Sequence, residues 1–189
     1  MKFNTTPLPG VILIDLDVYP DPRGFFIETF HQKKYTEGGI SEIFVQDNFS
    51  RSSRGTLRGL HAQLTHPQAK LVHIVSGEIW DVAVDVRPGS ATYKKWFGAR
   101  LSADKPQQLY IPIGFAHGFC VMSDVAEVAY KCTDLYDPSN ELHLLWNDPD
   151  LAVDWPIKDP VLSAKDKDGV GLRQVEPILR QFFGTPKSK

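Results

Sequence analysis

Two short segments of the sequence combine histidine, lysine and glycine at spacings that can build a catalytic site. The first, Leu57–Gln63, contains His61 and is followed by Lys70 and then by Gly77. The second, Pro112–His117, has the pattern Pro-x-Gly-x-x-His. Histidine titrates near neutral pH and can act as a base, and a lysine ammonium can stabilise an oxyanion. Together the segments predict removal of a proton from a carbon next to a carbonyl group.

The two segments resemble the signature of cupins, which are small jelly-roll β-barrels, but the metal ligands of that signature are replaced. Gln63 and Lys70 stand where a second histidine and a glutamate are expected, so only His61 and His117 remain. An ammonium group has no lone pair for a metal, and an amide oxygen is a poor ligand for metals that suit imidazole. We therefore expect no bound metal, and we expect Lys70 to place its charge where the ion would lie.

The reaction also needs an acid that returns a proton, and Tyr130 in the run Val125–Cys132 is a candidate. Strand alternation defines which neighbours share its face but not which face points inward. Arg58 and His61 have opposite strand parity, so both reach one cavity only if the strand has a bulge or bend at Gly59.

Short runs rich in β-branched and aromatic residues alternate with turn-forming clusters along most of the chain. Many short strands at this spacing are typical of an antiparallel sandwich or barrel. Helical patterns are few: His31–Glu37 predicts one or two turns ending at Gly38, and Glu176-Pro177 opens a short amphipathic stretch. We predict an all-β fold, a cupin-type jelly-roll β-barrel with short peripheral helices. The strand-like runs are Val11–Val18, Ile43–Asn48, Leu71–Val75, Ile79–Val86, Leu109–Pro112, His117–Met122 and Val125–Cys132.

Length and composition exclude several functional classes. The 189 residues predict one domain, 1–189, with a peripheral C-terminal tail from about residue 170 to 189. A formal charge of −2 excludes strong global attraction to nucleic acid or to an anionic membrane. The apolar run Val11–Ile14 is far shorter than a signal-peptide core or a membrane span. Cys120 and Cys132 are too few for a disulfide scaffold, so we expect a cytoplasmic protein.

A larger set of ordered motifs extends over about residues 5–168 of the chain. It resembles the dTDP-4-dehydrorhamnose 3,5-epimerase family, and this many motifs in order makes the resemblance highly specific. The motifs are Asp21-x-Arg23-Gly24-Phe25-Phe26-x-Glu28, Phe44-Val45-Gln46-Asp47-Asn48, Leu57-Arg58-Gly59-Leu60-His61, Lys70-Leu71-Val72, Asp81-Val82-Ala83-Val84-Asp85, Ile111-Pro112-x-Gly114-Phe115-Ala116-His117-Gly118-Phe119, Tyr130-Lys131-Cys132-Thr133-Asp134, Trp146-Asn147-Asp148-Pro149 and Leu162-Ser163-Ala164-Lys165-Asp166.

The resemblance implies a homodimeric epimerase without metal or cofactor. It would invert C3 and C5 of dTDP-4-dehydro-6-deoxy-D-glucose to give dTDP-4-dehydro-L-rhamnose. By the same resemblance His61 is the base, Asp166 its partner and Tyr130 the proton donor, while Lys70 steadies the enolate. Contacts with the nucleotide and diphosphate would come from Arg23, Glu28, Gln46, Asn48, Arg58, His117, Glu141 and Lys165.

Two positions depart from the family pattern and leave alternatives open. Ala62 stands where an aromatic residue is usual, and Leu142-His143 stands where Arg-Gly is common. One alternative is an epimerase acting at C3 or C5 alone on another dTDP-deoxysugar. Others are a metal-dependent cupin oxygenase or isomerase, and a non-catalytic cupin that binds dTDP-sugars. His143 itself is interpreted as structural, and composition alone indicates that the run 164–168 is a solvated charged loop.

Overall fold

A computed structural model describes residues 1–184 and arranges most of its strands in two antiparallel sheets. The strands are β1 (Lys2–Thr5), β2 (Ile12–Asp15), β3 (Val18–Asp21), β4 (Gly24–Ile27), β5 (Gln46–Ser53), β6 (Leu57–Gln63), β7 (Lys70–Ser76), β8 (Glu78–Asp85), β9 (Trp96–Ser102), β10 (Gln107–Ile111), β11 (Phe115–Val121), β12 (Val125–Cys132) and β13 (Glu141–His143). The larger sheet has the order β1-β2-β10-β7-β12-β5 and the smaller β13-β6-β11-β8-β9, while β3 and β4 form a separate hairpin.

The two sheets face each other across an apolar interior, and strand alternation assigns residues to it. On β8, Ile79 and Ala83 join the cluster between the sheets. Val82 and Val84 join a second cluster on the outer side of the smaller sheet, which the C-terminal part of the chain covers. The two faces expected for the run Ile79–Val86 are therefore confirmed. The predicted all-β jelly-roll barrel with short helices is confirmed as well.

The strand predictions succeeded where β-branched residues cluster. The run Val125–Cys132 is β12 with the same bounds, whereas Val11–Val18 is divided between β2 and β3. Strands β6 and β9 contain no β-branched residue and were not among the predicted strand-like runs, although the parity argument for Arg58 and His61 assumed an extended segment at β6. Their position in the sheet comes from pairing with β11 and β8.

Two short helices lie outside the barrel. Helix α1 (Gln32–Glu37) ends at Gly38, as predicted. Helix α2 (Ala164–Lys167) lies where composition indicated a charged loop. Ser163 caps α2, because its Oγ accepts a hydrogen bond from the backbone N–H of Asp166 at 3.1 Å. This turn buries the Asp166 side chain against the barrel.

The third helix, α3 (Leu172–Phe183), begins a turn before the predicted start at Glu176-Pro177, so that start was wrong. The carboxylate of Asp148, distant in sequence, accepts the N–H of the first helical residue at 2.7 Å and sets the boundary. Leu179 is buried against the outer cluster, although the tail was expected to be peripheral; its last part, residues 185–189, lies outside the described residues. No helix among residues 1–184 is long and apolar enough to cross a membrane.

A bulge in β6 turns two site residues toward the same side. His61 pairs with His117 and Arg58 with Phe119, so three steps along β6 match two along β11. Gly59 carries the bulge with φ of +116°, and a Cβ there would lie 2.5 Å from a backbone carbon of β11. Only glycine fits both the backbone angle and the space. The bulge predicted from strand parity is therefore confirmed.

Candidate active site

A cavity of about 310 Å³ lies between the two sheets. Strands β5, β7 and β12 form one wall, and β6, β11 and β13 form the other. Every predicted site residue lines it except Arg23, Glu28, Lys165 and Asp166. The lining residues are Gln46, Asn48, Ser50, Arg58, His61, Gln68, Lys70, His117, Phe119, Tyr130, Tyr136 and Glu141.

His61 forms a short hydrogen bond with Asp166, as the resemblance implied. The Nε2 atom of His61 lies 2.5 Å from Oδ1 of Asp166, which also accepts at Oδ2 from the Ser163 hydroxyl at 2.7 Å. A carboxylate can only accept, so Nε2 carries the proton and Nδ1 keeps its lone pair. Within residues 1–184, Nδ1 of His61 has no hydrogen-bond partner. The geometry is that of an oriented base.

Burial has opposite effects on the two members of this pair. It lowers the pKa of the His61 imidazole below its usual value, and the hydrogen bond to Asp166 opposes that shift only in part. Burial would raise the pKa of Asp166, but the hydrogen bonds from His61 and Ser163 outweigh it and hold that pKa below its usual range. At neutral pH the pair is therefore a neutral imidazole beside a carboxylate.

Lys70 brings a positive charge into the cavity. It begins β7 and shares the strand face of Val72 and Ile74, which belong to the interior cluster. Within residues 1–184, no carboxylate lies within 4.0 Å of its ammonium. Burial lowers the pKa of Lys70 below its usual value, because the charged form loses hydration. A bound oxyanion would restore the missing countercharge.

Tyr130 faces the same cavity from the wall opposite His61. Its neighbours of the same parity on β12 include Val128, which belongs to the interior cluster, and this face is therefore the inward one. Burial raises the pKa of the Tyr130 hydroxyl, which consequently keeps its proton at neutral pH. The cavity thus holds a neutral imidazole on the smaller sheet and a protonated phenol, with Lys70, on the larger sheet.

A second histidine–carboxylate pair lies beside the first. Nε2 of His117 is 2.6 Å from Oδ1 of Asp81, and both side chains are buried. Sequence reasoning did not assign Asp81 to the site. The signal was available, because Asp81 shares the strand face of Ile79 and Ala83, and a carboxylate inside a barrel needs a partner.

The remaining polar lining is held by hydrogen bonds among side chains. Nε of Arg58 donates to Ser52 Oγ at 3.0 Å, and the amide of Gln46 donates to Asn48 at 2.9 Å. The hydroxyl of Tyr136 donates to Glu141 at 2.8 Å. Sequence reasoning missed four residues that line the cavity: Ser50, Gln68, Phe119 and Tyr136. Phe119 lies within one of the quoted motifs but was given no role, and the other three lie outside the motifs.

Three predicted contact residues lie elsewhere in this chain. Arg23 is in the β3–β4 turn with its side chain 90% exposed and paired with Asp21 at 2.6 Å. Glu28 pairs with Lys34 at 2.7 Å, outside the cavity. Lys165 lies on α2 beside the cavity rather than in it, with its Nζ 3.9 Å from Glu141. Their roles in substrate contact stay predictions.

The donor set does not fit the metal centre of a cupin. Gln63 does not line the cavity, because its amide nitrogen donates to backbone carbonyls at 2.7 and 3.2 Å. His61 and His117 each use Nε2 in a hydrogen bond with a carboxylate. The fourth position is the ammonium of Lys70, which cannot bind a metal.

Comparison with known proteins shows which family the chain is similar to. Residues 5–174 match the family model described as dTDP-4-dehydrorhamnose 3,5-epimerase. Proteins of that name from Neisseria gonorrhoeae and Pseudomonas aeruginosa are 52% and 51% identical to the chain, over 96% and 89% of its length. The chain spans 56% of the length of the first and 94% of the second.

Solved structures show the same likeness. A dTDP-6-deoxy-D-glucose-3,5-epimerase from Legionella pneumophila, crystallised with dTDP-4-keto-L-rhamnose, superposes with a TM-score of 0.93. It is 45% identical, and the alignment covers 99% of both chains.

Proposed function

The chain belongs to the dTDP-4-dehydrorhamnose 3,5-epimerase family and is an epimerase, and we propose that it inverts C3 and C5 of dTDP-4-dehydro-6-deoxy-D-glucose. The product would be dTDP-4-dehydro-L-rhamnose. The single observation that carries the proposal is the placement of His61 and Tyr130 on opposite walls of one cavity, with Lys70 beside Tyr130. Inversion at carbon requires a base on one face of the sugar ring and an acid on the other.

Each step follows from the chemistry of these side chains. Nδ1 of His61 takes the proton from the carbon next to the C4 ketone, and the electrons move to the ketone oxygen. The ammonium of Lys70 stabilises the resulting enolate, a role worth about 10²–10³ in rate. The hydroxyl of Tyr130 then delivers a proton to the opposite face. Asp166 holds His61 in the tautomer with Nδ1 free and stabilises the imidazolium.

Isotope exchange tests this function directly. In D₂O the protein should place deuterium at C3 and C5 of the product, read by mass spectrometry and NMR. Exchange at one carbon would identify a single-carbon epimerase instead, and binding without exchange would identify a non-catalytic sugar-nucleotide-binding protein. His61→Gln should abolish exchange, whereas the matched change His66→Gln, at an exposed histidine, should not. Activity that disappears after chelation would favour a metal-dependent cupin.

We also propose a homodimer in which the β3–β4 hairpin completes the partner's cavity. Tyr19, Phe25 and Phe26 on this hairpin are 54%, 65% and 66% exposed, an apolar surface suited to an interface. The resemblance assigns Arg23 to substrate contact, yet Arg23 does not line the cavity of its own chain. If the hairpin docks on a second copy of the chain, Arg23 can contact the substrate in the partner's cavity.

Complementation tests the shared site. Arg23→Ala and His61→Gln proteins should each be inactive, and mixed dimers should regain activity because one cavity then has an intact base and an intact hairpin. No recovery on mixing would contradict the shared site, and a concentration-independent monomer in sedimentation would contradict the dimer. We further propose a cytoplasmic location, which is supported by Cys120 and Cys132 being free and buried.

A further inference from the structure

His143 places a second imidazole beside the pair formed by His61 and Asp166. It lies on β13, and its ring centroid is 4.6 Å from that of His61. One ligand atom from each of His61, His143 and Asp166 lies within 4.8 Å of the others. All three line a groove of about 340 Å³ that adjoins the cavity between the sheets and shares His61 and Glu141 with it.

The hydrogen bonds of His143 indicate which of its nitrogens has a free lone pair. Nε2 lies 3.0 Å from a carboxylate oxygen of Glu141, so the neutral ring donates there. Nδ1 then carries the lone pair, and it is buried without a hydrogen-bond partner among the described residues. It lies 3.8 Å from Oδ1 of Asp166. Two electron-rich atoms thus face each other, and a cation between them would give Nδ1 of His143 the partner that it lacks.

We propose that His61, His143 and Asp166 bind a divalent transition-metal ion of the zinc class, and that this ion switches the epimerase off. Two imidazoles and one carboxylate are a common donor set for zinc, with a fourth position left for water. Glu141 supplies the outer hydrogen bond that orients a metal-binding histidine. The site differs from the metal position of the cupin signature, which Lys70 occupies.

Inhibition follows from the proton count on His61, and this part of the inference rests on the proposed function. A neutral imidazole has one proton and one lone pair. If the metal takes the lone pair at Nε2, the proton must move to Nδ1, the atom that would accept the proton of the sugar. The imidazole neither gains nor loses a proton overall, but Nδ1 is now protonated and cannot accept a proton from the sugar. The ion also replaces the hydrogen bond between His61 and Asp166.

Calorimetry with untagged protein and ZnCl₂ measures the site without reference to turnover. We expect one zinc ion per chain, and no binding of MgCl₂, which prefers oxygen ligands. His143→Phe should weaken zinc binding at least about tenfold, since even an outer-shell partner contributes about 10–100-fold. The matched variant His66→Phe removes an exposed histidine that lies 3.4 Å from a carboxylate, and its affinity should equal wild type.

Turnover measured on the same proteins tests the switch. At the zinc concentration that half-saturates wild type, zinc should slow isotope exchange in wild type and in His66→Phe, and it should slow exchange by His143→Phe by no more than about a tenth. Equal zinc affinity in wild type and His143→Phe, or no zinc binding by wild type, overturns the site. If His143→Phe does not fold, His143→Leu replaces it in both measurements. A circular-dichroism spectrum equal to that of wild type shows that the variant used is folded. If wild type binds zinc but shows no exchange even after chelation, the site stands and the proposed function fails.

Discussion

Replacing Asp166 by asparagine tests how much of the rate depends on the charge beside His61. The change keeps the size of the side chain but puts an amide in place of a carboxylate that accepts from Nε2 at 2.5 Å. The Ser163 hydroxyl already donates to one oxygen at 2.7 Å, so the asparagine oxygen is drawn there and its NH₂ group faces His61. That donor favours the wrong tautomer, with the proton on Nδ1. We expect kcat to fall about 10³-fold, or about 4 kcal/mol in the barrier.

The pH profile gives a second, independent readout. The acid limb of kcat/KM reports the pKa of the base in the free protein, and burial places that of His61 below its usual value of 6.5. Asp166 raises that pKa, so removing its charge should move the acid limb further down. The matched change Asp168→Asn, at an exposed residue after α2, should alter neither rate nor profile. A variant that unfolds like wild type yet keeps kcat within about threefold would refute the role of the pair.

Three further substitutions, the last with a matched control, follow from the geometry. Lys70→Met should lower kcat about 10²–10³-fold without lowering the melting temperature, because it removes an ammonium with no carboxylate partner within 4.0 Å among residues 1–184. A lower melting temperature with unchanged kcat would contradict this. Tyr130→Phe should keep deuterium exchange but form inverted product about 10²-fold more slowly, and equal losses of both would reassign the acid. Gly59→Ala should destabilise by about 2–4 kcal/mol in denaturant unfolding, since its Cβ meets backbone at 2.5 Å. Gly39→Ala, where φ is +93° and an added Cβ would lie 3.8 Å from Ile12, should cost about 1 kcal/mol, and equal losses would contradict the steric argument.

The fold class could be predicted from the sequence because alternation and turn chemistry are local. Strand β12 has the predicted bounds, and β8 has the predicted faces. The bulge at Gly59 could also be inferred, since Arg58 and His61 reach one cavity only with an extra residue between them. The bounds of β6 and β9 could not be predicted in this way, because neither strand contains a β-branched residue and each pairs along its length with a neighbouring strand.

The types of His61, Lys70 and Tyr130 predict the chemistry from the sequence alone. Lys70 stands where a cupin has a metal ligand, and an ammonium group at that place is suited to stabilise an enolate if a base such as His61 lies nearby. The residue types do not say which strand face points inward, however. That choice belongs to the packing of one sheet on the other, and it places His61 and Tyr130 on opposite walls.

Other features of the site depend on contacts between residues far apart in the chain. Composition predicts a solvated loop for the run that contains Asp166, but in the structure this run forms a short capped helix that buries Asp166 against His61. Asp81 became a partner of His117 only when β8 and β11 paired. Arg23 lies on a hairpin away from the cavity of its own chain. Local sequence determines the backbone preference and the chemical type of each side chain, whereas distances between remote side chains depend on how the sheets and helices pack, and only the tertiary structure decides those.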